Sequence, residues 1–181
     1  MKIAVCFSGQ PRHFAISHPY WESSLNGQDV DYFAHLWFDP SKTGSELEIY
    51  SEGRRGQRSG YTVRPNTDTE FIDLYKPKSY QIEPQIEFVD DMELHTNNGK
   101  PSQTRQPPDI FISMLYSRWK SGELMKTYAA QNNIQYDLLI WTRTDVAVTT
   151  PIRNEISSLD HIYTGDCHGD IWNTTHVTTG I

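Results

Sequence analysis

The run Ile3-Ala4-Val5-Cys6-Phe7 is apolar at every position and breaks at once into Ser8-Gly9-Gln10-Pro11-Arg12. A strand with one wet face alternates polar and apolar residues. A continuous apolar run of strand length is instead covered on both faces, as in the parallel sheets of α/β proteins. The following segment keeps to that plan. Phe14 to Leu25 reads as a helix from Ser17, whose hydroxyl suits an N-cap while Pro19 falls in the first turn, and Asn26-Gly27 ends it. Val30 to Trp37 is then a second strand, and one helix between two apolar strands is the length of a parallel crossover. The chain opens with a βαβ unit.

Further along, residues from about 39 to 66 are polar and rich in Gly and Arg, which predicts a flexible loop. Thr67-Asp68-Thr69-Glu70 is a capping-box pattern ahead of Phe71, Leu74 and Tyr75 at helical spacing, with Pro77 closing the helix. Ser79 to Glu83 is a short strand, and a second polar stretch, about 90–108, is read as another flexible loop. A long helix then spans about Asp109 to Asn132. Its wheel puts Phe111, Leu115, Met125 and Ala129 on one face with Arg118 and Gly122, and Ser113, Ser117 and Lys120 opposite. Gly122 suggests close packing, and Arg118 on that face needs a partner. Tyr136 to Thr142 is unbroken enough to be a central strand. A short helix near 154–159 and a last strand about 161–164 complete the plan.

With 181 residues, 36% of them hydrophobic, the chain can close one core and is expected to form a single α/β domain over 1–181. No apolar run approaches the roughly 20 residues that span a bilayer, and the first residues make a poor signal peptide, so the expectation is no membrane span and a cytoplasmic location. Two cysteines, Cys6 and Cys167, have no metal-ligand spacing; Cys6 within the first apolar run reads as a buried free thiol. A net charge of -7 argues against a nucleic-acid partner, which requires a basic footprint. A small ligand fits better.

Open parallel sheets bind ligands beyond the carboxyl ends of their strands. Two polar clusters fall there. In Ser8-Gly9-Gln10-Pro11-Arg12, Gly9 lets the backbone approach a ligand, Gln10 can read a base or ribose edge, and Arg12 can take a phosphate; an ordinary strand-to-helix turn has the same look. In Arg143-Thr144-Asp145, the aspartate can hold a hard cation through oxygen, or Arg143 and Asp145 simply make polar contacts where a strand surfaces. His35 and Trp37 end the second strand on the same side, as base contacts or as a core pair. Arg54, Arg55 and Arg58 can close over an anion or stand in solvent.

These residues carry a resemblance. Lys2 to Arg12, then Asp31-Tyr32-Phe33-Ala34-His35-Leu36-Trp37, then Tyr75-Lys76-Pro77 with Tyr80-Gln81-Ile82-Glu83, then Ser113-Met114-Leu115-Tyr116-Ser117 with Lys120, then Tyr136-Asp137 leading to Arg143-Thr144-Asp145, are similar in order to landmarks of a family of microbial and viral glycosyltransferases. The resemblance covers about residues 2–148. It implies a GT-A type nucleotide-diphospho-sugar transferase fold, a Rossmann-like three-layer α/β/α arrangement with a mostly parallel sheet.

By that resemblance Ser8, Gly9, Gln10, Arg12 and Arg143 contact the donor, a nucleotide-diphosphate sugar. Asp145 holds a Mn²⁺ or Mg²⁺ bridging the diphosphate, and a saccharide or other hydroxyl compound is the acceptor. Arg143 stands where the family's Asp-x-Asp motif has its first aspartate, which removes a carboxylate and adds a cation. Asp166 and Asp170, with His168 between them, are the late cluster able to supply a catalytic base or extra ligands; a plain polar loop has the same composition. The second expectation is a nucleotide or nucleotide-sugar binding module without transfer activity. A homodimer is left open as a way of covering an exposed sheet edge.

Overall fold

The computed structural model describes residues 1–51, 54–86, 88, 108–152 and 156, with backbone alone for 47–51, 54–60 and 108–111. Four parallel strands form the main sheet: β1 (Lys2–Gly9), β2 (Asp29–Trp37), β5 (Ser79–Glu83) and β6 (Leu138–Arg143), in the order β5-β2-β1-β6. Helices α1 (Phe14–Ser24), α2 (Thr67–Tyr75) and α3 (Pro108–Asn132) flank it. This is a Rossmann-like α/β fold. Its centre is the run that begins the chain, buried from Ile3 through Ser8.

The pleat of β1 divides that run between two cores. Ile3, Val5 and Phe7 pack with Phe14 and Trp21 of α1 and Phe71 and Tyr75 of α2. Ala4 and Cys6 pack with Phe33 and Met125 of α3. Phe7 meets Trp21, Phe71 and Tyr75 edge-on at centroid distances of 5.8, 5.4 and 4.7 Å, geometry worth about 0.5–1.5 kcal/mol per pair beyond burial. Cys6 is a buried free thiol, and burial pushes its pKa up.

Several expectations need correction. Helix α1 starts at Phe14 rather than Ser17: His13 takes a left-handed conformation, and its carbonyl accepts from the Ile16 and Ser17 amides at 2.9 and 3.2 Å. Ser17 is therefore inside the helix and not a cap, and Pro19 lies beyond the first turn. In α2 the residue before the helix is Asn66, also left-handed, while the Thr67 hydroxyl turns back to the Arg64 carbonyl at 2.7 Å; no capping box forms. Leu74 is exposed.

Within the stretch read as a loop, a short 3₁₀ turn at Pro40–Lys42 is followed by an antiparallel hairpin, β3 (Glu46–Ser51) and β4 (Arg54–Thr62). Its polar sequence hides the period-2 signal, and the register that sets Glu48 opposite Arg58 pairs residues that look like solvent-facing charge when read singly. The side chains of Arg54, Arg55 and Arg58 lie outside the described residues, as does the stretch 90–107.

Helix α3 is rotated from the predicted wheel in its first half. The stripe on the sheet is Ser113, Ser117, Ser121 and Met125, all buried, whereas Leu115 is exposed. Small side chains let the helix approach β1 and β2 closely, which outweighs the sparse apolar residues of the other face. Gly122 is packed as expected: a Cβ there would stand 3.5 Å from the Trp141 indole nitrogen. The Arg118 Nε and Trp141 Nε1 find no hydrogen-bond partner among the described residues. Strand β6, expected to be central, is at one end of the described sheet. The helix near 154–159 and the strand about 161–164 lie outside the described residues apart from residue 156. No described helix is long and apolar enough to cross a membrane.

Candidate functional site

All four strands of the main sheet point their carboxyl ends the same way, and there the turn from β1 into α1 meets the ends of β2, β5 and β6. Gly9 makes the turn possible. Its φ of +101° belongs to the region that favours glycine, and a Cβ there would meet nothing within 4 Å, so the backbone is open on that side.

Thr144, beyond the end of β6, fixes the rest of the turn. Its hydroxyl donates to the Gln10 carbonyl at 2.6 Å and accepts from the Arg12 amide at 3.2 Å. The segment that follows β6 is stitched in turn to α1: Ser17 Oγ donates to the Thr144 carbonyl at 2.7 Å, Trp21 Nε1 to that of Val146 at 2.8 Å, and Ser24 Oγ to that of Val148 at 2.6 Å. One helix face thus satisfies alternate carbonyls of a chain that has left the sheet.

Arg12, Arg143 and Asp145 form one cluster. Arg12 Nε donates to Asp145 Oδ2 at 2.8 Å; Arg143 reaches Oδ1 through Nε at 2.9 Å and Oδ2 through a terminal nitrogen at 2.6 Å. Burial of Asp145 opposes its ionisation, but the two guanidiniums, Arg143 more than Arg12, outweigh burial and hold the carboxyl below its ordinary range. Two cations against one carboxylate leave a local positive charge in a chain whose net charge is -7. The Arg143 side chain is 50% exposed, so that charge faces outward.

Beside this cluster, on the other side of the same turn, lies a cleft of about 470 Å³ including its open mouth. Gln10 and Pro11 of the turn, Trp37 and Phe38 at the end of β2, Gln85 after β5, and Tyr61 at the base of the hairpin line it. Aromatic walls with a few amide and hydroxyl groups suit a small organic ligand. The Gln10 and Gln85 amides lie 3.5 Å apart, and Gln85 continues to Ser113 Oγ at 3.1 Å. Lys42 adds a cation at the rim.

A third arrangement lies beneath the turn. Ser117 Oγ is 2.8 Å from His35 Nδ1, His35 Nε2 is 2.9 Å from Glu83 Oε1, and the Gly9 amide donates to Ser117 Oγ at 2.9 Å. Burial lowers the pKa of His35 more than the Glu83 carboxylate raises it. For Glu83 burial opposes ionisation, but bonds from His35 and Gln81 prevail and its pKa is lowered. The neutral imidazole then carries its proton on Nε2, facing the carboxylate, and accepts the Ser117 proton at Nδ1.

Of the residues singled out in the sequence, Gly9, Gln10, Arg12, Arg143 and Asp145 come together around one turn. Ser8 does not join them: it is buried, its hydroxyl 3.4 Å from the Thr142 carbonyl. Asp166, His168 and Asp170 lie outside the described residues. Thr144, Glu83 and Gln85 were not singled out for roles; a threonine between two charged residues at a strand end was the one available hint. The donor set does not suit a divalent cation. Both Asp145 oxygens already accept from guanidiniums, and no group of three His, Cys, Asp or Glu gathers among the described residues. These residues fit an anion better than a metal ion.

No protein-family model, no curated protein and no solved structure matches the chain.

Proposed function

We propose that the chain is a glycosyltransferase of GT-A type, with the three-layer arrangement that name implies, acting on a nucleotide-diphosphate sugar. What supports this reading is one observation joined to the resemblance in sequence. Segments of the quoted landmarks, far apart along the chain, hydrogen-bond to one another at the carboxyl end of the sheet: Gly9 to Ser117, Ser117 to His35, His35 to Glu83, and Arg12 to Asp145. The aromatic cleft is proposed to take the nucleoside, with Gln10 at its edge, and the outward charge of Arg143 and Arg12 the diphosphate.

In the reaction an acceptor hydroxyl oxygen bonds to the anomeric carbon, and the bond from that carbon to the diphosphate oxygen breaks with its electron pair. Cations stabilise the departing charge, and the hydroxyl proton passes to a base. Asp166 and Asp170 are the proposed candidates for that base. The Mn²⁺ or Mg²⁺ that the resemblance implies is not given a step, because the described donors do not form its site. A binding module without transfer is favoured by the same fact, that the Asp145 carboxylate is already engaged.

The test is a thermal-shift screen with UDP, GDP, CDP, TDP and their sugars, with and without Mn²⁺, followed by turnover assays on whichever binds. A ligand at about 100 times its Kd adds roughly 2.7 kcal/mol, a shift of several degrees at this size. Arg143→Ala should weaken binding about tenfold while the protein stays folded. Binding with no turnover would support the module, and no shift with any nucleotide would remove both readings.

A further inference from the structure

We propose that Glu83, His35 and Ser117 act as a relay that holds the Gly9 amide and so positions the ligand-facing turn from Ser8 to Arg12. The ligand part of this rests on the function proposed above. The residues come from three separate elements, β5, β2 and α3, and converge on the one glycine whose conformation opens the turn. Each link is a hydrogen bond of 2.8–2.9 Å. Ser117 and His35 are completely buried, whereas the Glu83 side chain is 23% exposed, so the relay runs from a solvent-touching carboxylate to a backbone amide beside the cleft. Trp37, which lines the cleft, stands edge-on to the same imidazole at 4.6 Å.

A serine, a histidine and a glutamate in a row is also the arrangement of a nucleophilic triad. Here Ser117 has no exposed surface, and its oxygen already accepts the Gly9 amide. An attacking oxygen needs a path for substrate, which complete burial denies to Ser117, so these are positioning residues.

The relay has two proton arrangements. With neutral His35, Ser117 donates to Nδ1 and accepts from Gly9. When His35 gains a proton, Nδ1 becomes a donor, and the Ser117 hydroxyl can swing to the His35 carbonyl, 3.2 Å away. Its oxygen then accepts from Nδ1 and from Gly9 together, which weakens its hold on the amide. Of the titratable groups, Glu83 from β5 and Lys120 and Tyr116 from α3 face the imidazole, and β1 presents the uncharged Ser8 and Gly9. Glu83 favours the protonated ring and Lys120 opposes it.

The experiment is a pH titration of isotope-labelled full chain by NMR, following the His35 ring and the Gly9 amide. In the wild type the two should change with one midpoint. In Glu83→Gln both midpoints should move down together, because the carboxylate that favours the charged ring is gone. In Ser117→Ala the ring should still titrate while the Gly9 response disappears. A Gly9 amide indifferent to His35, or an unchanged response in Ser117→Ala, overturns the relay. If Ser117→Ala does not fold, the joint movement in Glu83→Gln still decides, since separate movement also overturns it. For the ligand, the nucleotide among UDP, GDP, CDP and TDP that binds the wild type best should bind Ser117→Ala about tenfold more weakly, and equal affinity would refute the positioning role. If none binds the wild type, the proposed function fails, and the relay's hold on the amide is judged on Gly9 alone.

Discussion

At the amino ends of the strands, Asp31, its side chain 7% exposed, faces Lys2 at 3.2 Å and Lys78 at 3.7 Å and accepts the Tyr136 hydroxyl at 2.8 Å. At the carboxyl ends, Asp145, 6% exposed, faces Arg12 at 2.8 Å and Arg143 at 2.6 Å. Each is a nearly buried carboxylate between two cations. The amino-end partners sit at the starts of strands and tie those starts together, as the Lys2 amide does with Asp137 at 2.7 Å. The carboxyl-end partners sit on a turn opened by a glycine and beside a cleft. A paired aspartate is therefore no mark of a site in itself. What sets Asp145 apart is its place at the end of the sheet where turn backbones and a cleft meet.

Substitutions should separate the two ends. The largest effect is expected from Asp145→Ala, which leaves Arg12 and Arg143 facing one another; with Arg143 half in water, the loss in urea denaturation should be about 3 kcal/mol rather than the full cost of a stranded buried charge. A loss within about 0.5 kcal/mol would reduce the cluster to surface decoration. Thr144→Val should cost about 2 kcal/mol, since it strips one partner each from the Gln10 carbonyl and the Arg12 amide without changing shape.

Asp31→Asn should cost about 1 kcal/mol, because Lys2 and Lys78 reach water and the new amide oxygen still accepts from Tyr136. An effect equal to that of Asp145→Ala would erase the contrast between the ends.

The smallest effect is one of pH. Folding holds His35 below the ordinary value of 6.5, so the unfolded chain takes up its proton first. Its contribution to stability is complete above 6.5 and is lost as pH falls toward the folded value. Denaturation midpoints compared at about pH 7 and pH 5 should show this loss in the wild type and less of it in His35→Gln.

How much of this was legible beforehand varies with the range of the forces involved. Strand β5 was read at its observed bounds, Ser79–Glu83, and β1, β2 and β6 within two residues, because a buried strand writes its burial into consecutive side chains. The hairpin was missed because paired charged residues look the same as solvated ones. The sheet-facing stripe of α3 was missed because two of its serines are held in the core by partners far away along the chain: Ser117 by Gly9 and His35, Ser113 by Gln85.

By itself, then, the sequence determined the four main-sheet strands and their flanking helices in chain order, the parallel sheet and the end of it where polar residues collect, since hydrophobic burial acts on every residue locally and leaves a period. Only the tertiary structure decided which polar residues meet. Thr144 and Gln10 stand 134 positions apart, and Ser117 and His35 82 apart. A hydrogen bond constrains two atoms and leaves no pattern along the chain, so its partners become visible only when folding brings them within 3 Å of each other.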